Sequence, residues 1–266
     1  MAQYNGGTSW TRHTNYFLKE NNYNTTGISL GLQGVGNQGC TLISNRHVLL
    51  AKHVSDALFT LPQTVYFVND SNVTFTYTIT NIASIGASSG AGYTDISIGY
   101  LNTTIDASLS FHKVIPSDFL NYIQKGSVIS GNQFISPYLP VFYMDGGDNT
   151  STNKRTWCGN LQYICNTCTS NLLYYVRPIA GAKYNNSQAL TGGDSGNIIF
   201  IPVNNEIVIL GTWYTAAGGA GNPGDDLGVS SFIAPNISAI NSAMTTLAGT
   251  SYSVTQANLS GFNTYL

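Results

Sequence analysis

The chain has 266 residues, enough to bury a substantial core, and all-β proteins of this length often fold as one domain. Charged residues make up 8% of it, against about 25% in ordinary globular proteins, while hydrophobic residues make up 42%. The formal net charge is −2 and the sequence has no basic stripe, which argues against a nucleic-acid partner because phosphate binding needs clustered Lys and Arg. The composition predicts a globular protein whose polar surface is made mostly of Asn, Thr, Ser, Gly and Tyr, residues that favour strands and turns.

Targeting signals are not visible in the sequence. Residues 1–7 have neither the charged nor the apolar region of a secretory signal, and no apolar run reaches the roughly 18 residues of a membrane span. No membrane partner is therefore expected. So few charges suit export by a non-classical route or packing into a larger assembly such as a virus particle, and composition does not separate the two.

The elements predicted in chain order are mostly short strands. Residues 1–26 are polar and irregular and are expected to form an N-terminal extension, with Trp10, Tyr16, Phe17 and Leu18 as its anchors on the body. From Gly27 onward apolar residues alternate with small or polar ones, most strictly over Thr74–Thr80, as in a half-buried strand. The strand pattern thins between Leu109 and Asn121, which places a join between two halves there. The strand-like segments are 28–32, 40–54, 64–68, 74–80, 95–101, 127–130, 140–144, 161–164, 172–178, 197–202, 207–215 and 232–233, with a hairpin turn at 203–205.

One convincing helix follows these strands. Apolar residues at positions 237, 240, 244 and 247 have helical spacing, and Gly249 is a natural stop. Two sets of short strands and a terminal helix predict an all-β fold of two antiparallel β-barrels with a C-terminal α-helix. The expected division is an extension (1–26), a first barrel (27–115), a second barrel (116–235), a helix (236–248) and a loosely tied tail (249–266).

The four cysteines leave several interpretations open. Cys165 and Cys168 have the spacing of a redox pair or of half a zinc site, with Cys158 as a third ligand. A structural zinc site needs a fourth ligand, and no His or further Cys lies between Arg155 and Arg177. The alternatives are small buried residues or one local disulfide in a hairpin. No metal site is predicted.

The stretch Thr191–Asn197, with the sequence Thr-Gly-Gly-Asp-Ser-Gly-Asn, holds a serine between glycines just before an apolar run. Glycines accept backbone angles closed to other residues and let a substrate approach closely. Such bends can direct the N–H groups of Gly193 and Ser195 into one small space, where they could hold an oxyanion. Glycine-rich turns before strands are common, so a base and an acid are needed elsewhere in the chain.

Three local patterns resemble the chymotrypsin-like serine peptidases. Gly193–Gly196 resembles the nucleophile loop of that family, Ala51-Lys52-His53 its histidine strand, and Asp95-Ile96-Ser97-Ile98 its aspartate segment. The resemblance implies a double-barrel fold in which His53 is the general base, Asp95 orients it and Ser195 is the nucleophile. The chain order His, Asp, Ser is also that of the family.

Other assignments remain open for these residues. His53 could be a structural histidine without a catalytic role, as the resemblance implies for His47 within the same strand. Asp95 could be a surface-loop aspartate, with Asp70 or Asp106 as the acid, although neither precedes so clear an apolar alternation.

The resemblance also implies a substrate-binding wall. Residues 209–215 resemble the strand after the nucleophile, whose last residues pair with the substrate backbone and wall the primary pocket. The wall residues implied here are Tyr214, Thr215 and Ala216. Ala189 falls at the pocket floor, where trypsin-like members have aspartate. We therefore expect the pocket to prefer a small or apolar substrate side chain over Lys or Arg. Asp225 and Asp226 could reach the rim of the pocket.

The sequence departs from the secreted animal members of the family. Val54 and Thr191 stand where those members have cysteines, so the resemblance is to disulfide-poor viral or bacterial relatives. No Arg/Lys-Ile-Val-Gly-Gly activation site is present. We therefore expect Asp194 to find a partner other than a newly cleaved N-terminus, or the loop to fold without cleavage.

Two functional hypotheses follow. The first is a serine endopeptidase that acts on a polypeptide substrate through an acyl-enzyme and uses no cofactor. The second is a non-catalytic structural or binding module with the same fold in a larger assembly such as a virus particle. An esterase-like or self-cleaving role for the same three residues is a weaker third hypothesis.

Overall fold

The computed structural model describes residues 11–12, 17–33, 38–86, 93–123, 125–129, 132–146, 155–165, 172–176, 190, 192–215, 226–260 and 262. These residues form two sheets that are almost entirely antiparallel, followed by a C-terminal helix. The all-β fold predicted from strand alternation is confirmed.

The first sheet has six strands in the order β1-β4-β5-β6-β3-β2. Its two ends approach each other through a single bridge between Ile28 and Thr41, and the Leu42 N–H donates to the Gly27 carbonyl beside it. The apolar side chains inside it, such as Val65 and Phe67, are fully buried. The strands are β1 (Gly31–Leu32), β2 (Thr41–Leu42), β3 (His47–Leu50), β4 (Gln63–Val68), β5 (Thr74–Gly86) and β6 (Tyr93–Leu101).

The second sheet closes on itself. Strand β9 pairs with both β10 and β12, so β9, β10, β11, β14, β13 and β12 form a ring. Strand β8 pairs with β9 outside this ring, and β7 runs parallel to β13. Tyr143 and Tyr175 are fully buried inside the barrel. The strands are β7 (Lys113–Val114), β8 (Lys125–Ile129), β9 (Asn132–Asp145), β10 (Arg155–Cys165), β11 (Leu172–Val176), β12 (Ile198–Val203), β13 (Glu206–Thr215) and β14 (Asp226–Phe232).

A further apolar core joins the two sheets to the terminal helix. It contains Ile96 and Ile98 of β6, Ile198 and Phe200 of β12, and Met244 of the helix. Burial of this apolar surface holds the two sheets against each other. The first residues of β6 and the residues that precede β12 are thereby brought to one junction.

Within the described residues the helices are α1 (Phe17–Glu20), α2 (Lys52–Leu58) and α3 (Ile237–Ala248), with 3₁₀ turns at Phe119–Asn121 and Ala234–Asn236. Helix α3 is the predicted one, and Gly249 ends it with φ of 67° and an N–H bond to the Thr245 carbonyl. None of the helices in the described ranges is long and apolar enough to cross a membrane.

The strand-like interpretation of residues 40–54 is wrong over most of its length. The Ser44 hydroxyl accepts the N–H groups of Arg46 and His47, which turns the chain between β2 and β3. A serine side chain that takes up backbone donors in this way competes with strand pairing. After β3 the chain enters α2 at Lys52, so the segment contains two short strands and the start of a helix.

The residues after α3 are anchored to the body, which differs from the loosely tied tail that we expected. Val254 and Leu259 are buried. The Val114 N–H donates to the Thr255 carbonyl, and the Ala257 N–H donates to the Val114 carbonyl. This part of the tail therefore lies along β7, the first strand after the change from one sheet to the other.

Residues before β1 also pack on the first sheet. The buried Arg12 guanidinium donates to the Val68 carbonyl at 2.7 and 3.1 Å and to both oxygens of Thr25. Leu18 is fully buried, as expected of an anchor. Trp10 and Tyr16, proposed as further anchors, lie outside the described residues.

His47 ties the first sheet to α3. Its Nε2–H donates to the Met244 carbonyl at 3.1 Å, because a carbonyl can only accept, and its Nδ1 accepts the Ser44 O–H at 2.8 Å. This is the neutral form of the ring. Burial, with a further contribution from Arg46, lowers the pKa of His47 from 6.5 to about 4.

The free energy of unfolding is expected to decrease as the pH falls from about 6.5 to about 4. Burial, with Arg12 adding to it, also lowers the pKa of His112 to about 4. Within this window the unfolded chain binds protons at both histidines that the folded chain does not bind. Each histidine contributes about 3 kcal/mol to the loss over the whole window. Urea unfolding at several pH values measures this loss. His112→Gln should make the free energy of unfolding less dependent on pH, because one of the two histidines is removed. An equally steep dependence in the variant would contradict the assignment.

Candidate active site

The register of the first sheet brings His53 to Asp95. Strands β3 and β6 are antiparallel neighbours in which Leu50 pairs with Ser97. Residues shortly after Leu50 therefore face residues shortly before Ser97. Helix α2 starts at this point, and His53 lies in its first turn, where backbone N–H groups lack helical acceptors. Asp95 Oδ1 supplies one acceptor at 2.7 Å from the His53 N–H.

The structure brings His53, Asp95 and Ser195 into one hydrogen-bonded chain. His53 Nδ1 lies 2.7 Å from Asp95 Oδ2, and His53 Nε2 lies 2.7 Å from Ser195 Oγ. Both distances are ordinary for hydrogen bonds of this type. Helix α2 supplies the base, β6 of the first sheet supplies the acid, and the loop before β12 of the second sheet supplies the serine.

The environment of the three side chains fixes the direction of the hydrogen bonds. Asp95 is fully buried, Ser195 is 4% exposed, and the His53 side chain is 38% exposed. An ionised carboxylate can only accept, so Nδ1 carries the ring proton. Nε2 is then left with a lone pair directed at the Ser195 hydroxyl. This arrangement can take a proton from Ser195.

The loop that carries Ser195 is fixed from both sheets. The Gly39 N–H donates to the Ser195 carbonyl at 3.0 Å, and Gly39 lies just before β2 of the first sheet. The Gly196 N–H donates to the Trp213 carbonyl at 3.3 Å, and Trp213 belongs to the second. Gly193 and Gly196 have φ of 105° and 80°, in the left-handed region that favours glycine. A Cβ on Gly196 would lie 2.2 Å from the Gly39 carbonyl oxygen, so close contact between the sheets also needs glycine here.

Asp194 is buried next to the serine and has a main-chain partner. The Gly146 N–H, at the end of β9, donates to Asp194 Oδ1 at 2.7 Å. Asp194 also fixes the following turn, because its carbonyl accepts the Asn197 N–H and the Asn197 side-chain amide. The sequence predicts a partner other than a new N-terminus, and Gly146 is such a partner. No sequence pattern identified Gly146 itself.

A second set of polar contacts, which sequence reasoning missed, fixes α2 against the sheet. The Ser97 hydroxyl lies 3.0 Å from those of Ser55 in α2 and Ser84 in β5. Ser84 donates to Asp56 at 3.3 Å, and Asp56 forms an ion pair with the buried Lys52. These contacts hold the helix that carries His53 on the strand that carries Asp95. The available sequence signal was a serine two residues after Asp95, on the same side of an alternating strand.

Of the proposed wall residues, Tyr214 and Thr215 are described. The Tyr214 ring meets the His53 ring edge-on, with centroids 6.3 Å apart, and Tyr214 is half-buried. Thr215 is exposed at the end of β13. The described residues do not include Ala189, Thr191, Ala216 or Asp225. Of Asp226 only the backbone is described, at the start of β14.

The competing acids lie in other surroundings. Asp106 is exposed, and its carboxylate accepts the N–H and O–H of Ser108, which lowers the pKa of Asp106. Asp70 is exposed at the turn after β4. Within the described ranges, the aspartate hydrogen-bonded to His53 is Asp95.

Buried polar groups also line the second barrel beside the serine loop. A Cβ on Gly228 would lie 2.5 Å from Tyr175 Oη and 3.0 Å from Trp213 Nε1, so these two atoms converge on this glycine. The backbone N–H of Trp213 donates to the Asn197 carbonyl at 2.8 Å, and Asn197 lies two residues after Ser195. Burial raises the pKa of Tyr175 well above its ordinary value, so its hydroxyl keeps its proton at neutral pH.

The cysteines divide into one disulfide partner and two thiols. Cys165 is disulfide-bonded, whereas Cys40 and Cys158 keep their thiol groups. This favours the disulfide alternative for Cys165, because a sulfur in a disulfide is not a thiolate ligand. Cys168 lies outside the described residues. Among the residues described, no group of three or more His, Cys, Asp or Glu is placed to hold a metal ion.

Comparison with protein families and with curated proteins finds no match for this chain. Its function therefore has to be inferred from the residues and their geometry.

Proposed function

We propose that the chain is a serine endopeptidase with a chymotrypsin-like double barrel, which cleaves polypeptides through an acyl-enzyme on Ser195. The observation that carries the proposal is the hydrogen-bonded chain from Asp95 through His53 to Ser195, with 2.7 Å at each step. Nucleophilic catalysis needs this arrangement of three side chains, whereas a scaffold has no physical need for it.

Acylation begins when Ser195 Oγ attacks the peptide carbonyl carbon and its proton passes to His53 Nε2. Asp95 keeps the ring proton on Nδ1 and stabilises the imidazolium that forms. The tetrahedral intermediate collapses as its C–N bond breaks, and the leaving amine takes the proton from Nε2. Water then attacks the ester and gives a proton to Nε2, and collapse returns that proton to Ser195 Oγ and releases the carboxylic acid product.

The N–H groups of Gly193 and Ser195 are proposed to hold the oxyanion in both tetrahedral intermediates. The positive φ of Gly193 is consistent with a bend that presents main-chain donors beside Ser195. Loss of one such donor typically lowers the rate by about 10²–10³-fold. The mechanism uses no metal or cofactor.

An extended peptide is the proposed substrate. Its backbone would lie along the end of β13, where Tyr214 contacts His53 and Thr215 follows. The chain is not proposed to bind nucleic acid or a membrane.

Turnover of a defined peptide mixture tests the proposal. The folded chain is incubated with a diverse peptide library, and mass spectrometry identifies the products, with Ser195→Ala as the matched control. We expect internal cleavage with many turnovers per chain, absent in the variant. A single self-cleavage would favour a self-cleaving role, and no cleavage of any peptide by the well-folded chain would contradict the proposal in favour of a non-catalytic module.

A further inference from the structure

The side chains of Arg155 and Trp157 converge on the buried carboxylate of Asp145, where β9 ends and β10 begins. Asp145 is the last residue of β9 and pairs with Arg155, the first residue of β10. Asp145 Oδ1 accepts the Arg155 Nε–H at 3.2 Å, and Oδ2 accepts the Trp157 Nε1–H at 2.7 Å. Asp145 Oδ2 also forms an ion pair with Arg155 Nη2 at 3.2 Å. Two-point contact by a guanidinium fixes a carboxylate more firmly than a point charge does.

The donors on Asp145 also support each other. The Arg155 guanidinium lies 5.4 Å from the centre of the Trp157 ring, within the range of a cation–π contact. Asp145 is 3% exposed, so solvent screens the ion pair little. The position and direction of the backbone at residue 145 are therefore well determined.

The next residue in the chain reaches the proposed catalytic loop. The Gly146 N–H donates to Asp194 Oδ1 at 2.7 Å. Asp194 is covalently linked to Gly193 and to Ser195, which carry the proposed oxyanion donors. Asp145, which bonds Arg155, and Gly146, which bonds Asp194, are therefore adjacent residues of the chain.

We propose that Asp145, Arg155 and Trp157 are positioning residues for the oxyanion donors of the proposed peptidase. They fix Gly146, Gly146 fixes Asp194, and Asp194 sets the orientation of the Gly193 peptide. They touch neither substrate nor reacting atoms. This inference rests on the proposed function for its effect on rate, but the coupling between hairpin and loop is a property of the fold alone.

The test compares Arg155→Ala with Arg46→Ala. Arg46 is the matched control, because its guanidinium also stacks on an aromatic ring, at 4.4 Å from the centre of Tyr100, and bonds the Leu101 carbonyl in the first barrel. Hydrogen exchange of the peptide spanning residues 192–197 is followed by mass spectrometry in both variants and in the parent chain. We expect at least about 10-fold faster exchange in this peptide for Arg155→Ala and no change for Arg46→Ala.

The rate gives the second readout. The second-order rate constant for fluorophosphonate labelling, corrected for the folded fraction, should fall by about 10- to 100-fold in Arg155→Ala. The kcat for a small ester should fall with KM changed less than about 3-fold, and Arg155→Lys should restore part of the rate. A purely structural role would change stability and leave these values unaltered per folded molecule.

The two proposals fail in distinguishable ways. A parent chain that does not react with the probe would contradict the proposed function, while the exchange experiment would still decide the coupling. Exchange at residues 192–197 that is the same in Arg155→Ala as in the parent would overturn the inference, whatever the activity of the parent.

Discussion

Asp95→Asn is expected to lower kcat on a peptide substrate by about 10⁴-fold. In the parent chain Asp95 Oδ1 accepts the His53 backbone N–H and Oδ2 accepts the ring Nδ1–H. An asparagine has one oxygen and one NH₂ group, and the backbone N–H requires the oxygen. The NH₂ group then faces Nδ1 and favours the ring with its proton on Nε2. That nitrogen can no longer accept the proton of Ser195.

The control for this change is Asp106→Asn, which alters an exposed aspartate that was the competing candidate. Steady-state kinetics and thermal unfolding are measured for both variants. We expect the parent rate in Asp106→Asn and a folded but nearly inactive Asp95→Asn. Full activity in Asp95→Asn, or its loss in Asp106→Asn alone, would show that the acid has been misassigned.

Gly196→Ala is the second change with a large expected effect. The φ of 80° is strained for alanine, and the added Cβ would lie 2.2 Å from the Gly39 carbonyl oxygen, where only a backbone shift can make room. We expect the free energy of unfolding to fall by at least about 2 kcal/mol, from backbone strain and overpacking together. Because Ser195 must move with its neighbour, labelling by a fluorophosphonate should slow by about 10²-fold or more.

Gly192→Ala is the matched control for stability. A Cβ on Gly192 meets no atom within 4 Å, and its φ lies outside the left-handed region. Urea unfolding should therefore give a free energy within about 0.5 kcal/mol of the parent. Equal losses in the two variants would mean that the close contact between the serine loop and Gly39 does not determine the fold of the junction.

Local signals predicted the parts of the fold that depend on neighbours in sequence. Helix α3 combines apolar spacing with a glycine stop, and the predicted turn at 203–205 forms with Asn204 and Asn205 at φ of 50° and 61° between β12 and β13. Strand alternation predicted β5 for the same reason, although β5 continues to Gly86. Each of these elements is specified by a short stretch of chain.

The missed features depend on contacts between distant segments. Helix α2 has seven residues, too few for a periodic pattern to stand out, and one of its first N–H groups bonds Asp95, 42 residues away. The Gly146–Asp194 bond spans 48 residues and involves a main-chain donor, which leaves no trace in side-chain patterns. The anchoring of Val254 and Leu259 likewise needs a partner strand that only the folded chain provides.

The sequence predicted the identity of the proposed catalytic residues but not their contacts. Motif resemblance selected His53, Asp95 and Ser195 because each lies in a short recognisable pattern. Their hydrogen bonds follow from the β3–β6 register and from the core between the sheets, which no local pattern encodes.

Intact-mass analysis after exposure to a fluorophosphonate tests whether Ser195 is an activated nucleophile. The parent chain, Ser195→Ala and His53→Ala are treated in parallel, with circular dichroism to verify that each is folded. We expect one adduct per chain in the parent and none in either variant, because Ser195 carries the nucleophile and His53 activates it. An unlabelled, well-folded parent, or an adduct that persists in Ser195→Ala, would contradict it.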